Sequence, residues 1–143
     1  MTDHSPRLFK SADAIRHIGE GLLACTLPRA EWTHEAHLAA TTWLLVERPD
    51  IDLDSALPGL IRRFNESVGG RNTDTEGYHE TITRVFLAAV RAHAAETGDM
   101  ALNDRVNALL ASERGHREWP LRFYSPERLF SAAARLTYLA PDL

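Results

Sequence analysis

At 143 residues the chain has the length of one domain with a single hydrophobic core. With 44% hydrophobic and 25% charged residues, its composition is that of a globular protein, which argues against disorder and against a membrane protein. A formal net charge of -4, with arginines scattered instead of clustered, excludes general attraction to nucleic acid.

Residues 1–10 hold charges and a proline without an apolar stretch of signal-peptide length, so this segment is expected to be flexible and the protein cytoplasmic, with no membrane partner. From Ser11 onward, apolar residues recur at helical spacing and nowhere alternate with period two, which predicts an all-α fold: one domain over 11–143, a bundle of five to six helices. The first helix follows a cap at Ser11 and turns Ile15, Ile18 and Leu22 inward before Pro28. Cys25, the lone cysteine, sits in this apolar stretch and reads as a small buried side chain.

The second helix takes Thr33 as its cap and runs to about Arg48, with His34, His37, Leu38, Thr41 and Leu45 on one side. A third begins near Asp54, tolerates Pro58 in or near its first turn, buries Leu57, Leu60, Ile61 and Phe64, and stops at Gly69-Gly70. After the polar loop 71–77, a fourth helix carries Ile82, Phe86, Ala89 and His93 as one stripe, with His79 leading it. His93, deep on that stripe, reads as a satisfied core histidine. A fifth helix over about 101–113 buries Leu102, Val106, Leu109 and Leu110 and ends at Gly115. An aromatic, basic connector leads to Ser125-Pro126, a start signal for a last helix through Tyr138.

Short connections make consecutive helices antiparallel, so the second and fourth should run the same way with the third returning between them. That arrangement gathers at one end of the bundle His34 and His37, Asn65 and Glu66 from the close of the third helix, and Tyr78, His79 and Glu80 from the start of the fourth. Two histidines three residues apart can chelate one ion, and the positive partial charge of a helix N-terminus favours the neutral imidazole that a metal requires. The expected metal ligands are therefore His34, His37 and His79, for a divalent zinc, iron, manganese or copper, with Glu31 and Glu35 orienting the rings. Glu66 or Glu80 is expected as fourth ligand or general base, and Tyr78 and Asn65 as the groups orienting substrate.

The strings Trp32-Thr33-His34-Glu35-Ala36-His37-Leu38 and Gly77-Tyr78-His79-Glu80-Thr81, with Phe64-Asn65-Glu66-Ser67-Val68-Gly69 and Asn72-Thr73 between them, resemble the signature of a family of small bacterial helical proteins. The resemblance implies a helical fold and carries no reaction with it. From the residues alone, the leading expectation is a metal-dependent enzyme acting on a small polar molecule. Its alternatives are a non-catalytic module binding a small ligand or partner and a metal-free acid–base catalyst using His79 with Glu80. Exposed apolar faces are compatible with a homo-oligomer.

Overall fold

The computed structural model describes residues 6–143, and among these every regular element is helical. Five long helices, α1 (Ala12–Ala24), α2 (His34–Glu47), α3 (Leu53–Ser67), α4 (Glu80–Glu96) and α5 (Leu102–Ala111), are followed by two short ones, α6 (Pro126–Leu129) and α7 (Ala132–Leu136). Single 3-10 turns stand at Arg29–Glu31, Glu113–Gly115 and Trp119–Arg122. None of the described helices is long and apolar enough to cross a membrane.

The starts of the helices follow their capping chemistry. The side chains of Ser11, Thr33 and Asp52 accept from the backbone N–H of Ala14, Ala36 and Asp54, satisfying donors that a first turn leaves orphaned. α1 ends where Cys25 adopts a left-handed conformation (φ 56°), short of Pro28, and the half-buried thiol there packs against the core.

α2 is the central element. It packs on α1, α4 and α5, and Ala36, Leu38, Ala39, Ala40, Thr42, Trp43 and Leu44 are buried around nearly its whole circumference. A helix that is apolar on all sides belongs in the middle of a core. Its contact with α1 is close because Gly19 lies under the indole of Trp43, where an added Cβ would fall 2.1 Å from a ring carbon.

Three expectations about the helices are corrected. Pro58 is the sixth residue of α3 and lies in its second turn, not its first. A proline there donates nothing to the carbonyl of Asp54, and the Arg84 guanidinium takes that role, with Nη2 at 3.2 Å from the oxygen. The helix beginning at Pro126 does not run to Tyr138. It breaks after Leu129, because Ser131 caps a new helix by accepting from Ala134 N–H while its hydroxyl bonds the Arg128 carbonyl.

The third correction concerns packing. α3 does not lie between α2 and α4; α2 packs directly on α4, and α3 lies mainly along α1. Of the segment read as flexible, residues 1–5, including His4, lie outside the described residues. Phe9 is fastened to α5, its N–H and carbonyl each 2.8 Å from the side chain of Asn107.

Candidate functional site

The His34-x-x-His37 pair opens α2. Its rings are held by backbone carbonyls: His34 Nε2–H donates to Gly115 O at 2.8 Å, and His37 Nδ1–H donates to Thr33 O at 2.7 Å. A carbonyl only accepts, so those nitrogens carry the hydrogens, and His34 Nδ1 and His37 Nε2 are left as acceptors. Neither has a hydrogen-bond partner among the described residues. Gly115 can approach because it has no side chain; a Cβ there would meet the Leu109 carbonyl oxygen at 2.2 Å.

Aromatic neighbours fix the rings further. Trp32 stacks on His37 with centroids 3.8 Å apart and also touches Phe64, while Phe86 meets His34 edge-on at 5.3 Å. Burial lowers the pKa of both histidines, the value for His37 falling to about 4, so both rings are neutral near pH 7. The dominant cause is loss of solvent around the rings.

Both rings line a cavity of about 330 Å³ between three helices. Leu38 and Thr41 join them from α2, Leu57 and Ile61 from α3, and Ile82, Thr83, Phe86 and Leu87 from α4. The space exists because α3 follows α1 instead of closing onto α2 and α4. The lining is apolar apart from the two imidazoles and the hydroxyls of Thr41 and Thr83, and the Thr41 hydroxyl already donates to His37 O at 2.8 Å.

The remaining expected site residues lie elsewhere. His79 is the N-cap of α4: its Nδ1 accepts from Ile82 N–H at 3.1 Å, and its Nε2–H donates to the Leu129 carbonyl at 2.8 Å. Both nitrogens are engaged, and the ring faces the α6 segment instead of the cavity. The expected three-histidine ligand set is therefore not assembled. Among the described residues no three His, Cys, Asp or Glu side chains are grouped so as to hold one ion.

Tyr78 and Glu80 bond each other, and Glu80 also pairs with Arg84 at 3.3 Å. Burial and the Glu80 carboxylate push the Tyr78 phenol well above its ordinary pKa, and Arg62 covers its ring at 4.5 Å. With His79 spent as a cap and Glu80 tied to Tyr78 and Arg84, the expected His79–Glu80 acid–base pair has no free members.

Asn65 and Glu66 converge on Asn72. Asn72 Oδ1 accepts from Asn65 Nδ2 at 3.1 Å and from Tyr78 N–H at 3.0 Å, and Asn72 Nδ2 donates to Arg62 O and Glu66 Oε2. These bonds fix the α3–α4 loop, with Gly77 at φ 82° pressed against Arg71 O and Asn72.

Glu31 pairs with His17 at the surface, and Glu35 is buried with its Oε1 3.8 Å from Arg117, so carbonyls and not these carboxylates orient the imidazoles. His93 is buried against the Arg105 carbonyl, as its place on the stripe suggested. The contributions of Gly115 and Phe86 were missed in the sequence. Gly115 read only as a helix terminator, and nothing local to either residue points to His34. The chain matches no protein-family model, no curated protein and no solved structure.

Proposed function

We propose that the protein binds a small organic molecule in the cavity between α2, α3 and α4, with His34 and His37 as its polar anchors. The observation that carries this reading is the pairing of two imidazoles, each fixed through one nitrogen and open at the other, with walls that are otherwise mostly apolar. Binding sites for small molecules commonly combine an apolar concave lining with a few oriented polar groups. The test is titration with an uncharged two-ring fluorescent probe that carries no donor, such as 6-propionyl-2-(dimethylamino)naphthalene. Saturable binding at one site, lost in Ile82→Trp with the helical circular dichroism unchanged, is the expected result; binding that does not saturate, or that Ile82→Trp leaves intact, overturns the reading.

A second reading, a metal-dependent enzyme with His34 and His37 as ligands, is favoured by one observation. Each ring donates its far N–H to a carbonyl, as metal-ligating imidazoles commonly do. Two nitrogen donors leave the other positions of a zinc, iron, manganese or copper ion to water or a small polar substrate. Elemental analysis of untagged protein decides it. Stoichiometric metal that is lost in His37→Ala and kept in His79→Ala supports the metal; its absence from the parent protein rules this reading out.

A further inference from the structure

We infer that the occupant of the cavity is an uncharged molecule of one or two rings whose hydroxyl or N–H donates to His34 Nδ1 or His37 Nε2, in the manner of a phenol or naphthol. The inference rests on the small-molecule reading above and names its ligand class.

Size sets the first limit. A cavity of about 330 Å³ is roughly twice the ~150 Å³ apolar space that takes up benzene, which suits one or two fused rings. Charge sets the second. No lysine, arginine, aspartate or glutamate is among the lining residues, so an anion or cation placed there would lose its hydration without gaining a counter-charge.

Hydrogen-bond inventory sets the third. The two ring nitrogens that lack partners are acceptors, the Thr41 hydroxyl has already directed its hydrogen to His37 O, and the Thr83 hydroxyl is engaged by the Tyr78 phenol. The pocket therefore has acceptors to spare and is short of donors, so a ligand that brings a donor relieves the mismatch. Position favours the same class. Residues three apart on a helix lie about 5–6 Å from each other on one face, so a flat ring edge can address either imidazole. The stack of Trp32 on His37 and the edge contact of Phe86 with His34 hold both rings ready for such a ligand.

The experiment uses the whole chain in buffer containing EDTA. Naphthol, its methyl ether, unsubstituted naphthalene and naphthalenecarboxylate each compete with bound 6-propionyl-2-(dimethylamino)naphthalene. Naphthol is expected to bind about tenfold more tightly than the methyl ether, which has the same ring and no donor, and the carboxylate more weakly than either. His34→Phe with His37→Phe is expected to remove the preference for naphthol while the ether still binds.

Equal affinity for naphthol and its ether in the parent protein overturns the donor assignment and leaves the cavity reading standing. Tightest binding by the carboxylate overturns the uncharged class. A preference that appears only when zinc replaces EDTA overturns recognition by the imidazoles themselves. Failure of every compound, the probe included, removes the small-molecule reading on which the inference rests.

Discussion

A histidine that stays neutral in the folded chain and protonates in the unfolded one makes stability depend on pH. His34, His37 and His79 all have pKa values lowered by burial. For His37 the folded value is about 4 against an ordinary 6.5, so as pH falls below 6.5 the unfolded state takes up a proton that the folded state refuses. Stability is fully present above that range, is lost as pH falls toward 4, and falls no further on this account below it. The loss from His37 is on the order of 3 kcal/mol. Thermal midpoints measured from pH 7 down to pH 4.5 should therefore drop by several degrees, and His37→Phe should drop less over the same range. Carboxylates with depressed values, such as Asp54, act at lower pH and leave this window to the histidines.

Helical spacing decides the face in α2, where His34, His37, Leu38 and Thr41 share one side, as their intervals require. It failed for His79 because a cap and a first-turn residue differ by one position, and a cap folds its side chain back over its own helix. Asn72 is bonded to Asn65, Glu66, Arg62 and Tyr78. Asn72→Ala should cost on the order of 2 kcal/mol in urea denaturation, since Tyr78 N–H and Asn65 lose a shared acceptor.

Among the elements, α3 carries a proline that its neighbours accommodate. The carbonyl left unbonded by Pro58 is served by Arg84, whose other nitrogen reaches the Asp54 carboxylate, which also pairs with Arg91. Pro58→Ala restores the helical N–H and should raise stability by about 1 kcal/mol. It should also make Arg84→Ala less damaging than in the parent, an interaction readable in a double-mutant cycle. At the α1–α2 contact, Gly19→Ala should destabilise by roughly 1–3 kcal/mol, because the indole of Trp43 must move aside. The five long helices were legible from apolar periodicity and caps. The break at Ser131 was not: Ser131 continues an apparently helical run, and only its hydroxyl's competition for the backbone splits that run in two.

At the scale of the molecule, sequence periodicity states which face of a helix is apolar but not which neighbour covers it. α2, α3 and α4 each present the expected stripe, yet α3 follows α1, and the stripes of Leu57 and Ile61, Ile82 and Phe86, and His37 and Leu38 meet across open space. Connection length favoured a simple antiparallel order, and the close α1–α2 contact at Gly19 and the direct α2–α4 packing gave another. The cavity is a product of that choice and has no signal of its own in the chain.

The bonds that finish the amino end of α4 come from far along the polypeptide. His79 bonds Leu129, and Thr81 donates to the Thr137 carbonyl while accepting from Leu139 N–H, 58 positions away. During synthesis at about 5–20 residues per second, roughly 3 to 12 s separate the appearance of Thr81 from that of its last partner. For that interval the first turn of α4, and with it the wall formed by Ile82 and Phe86, is without its final fastening on the ribosome. The order of translation thus delays completion of the cavity wall until the segment after Leu129 has emerged.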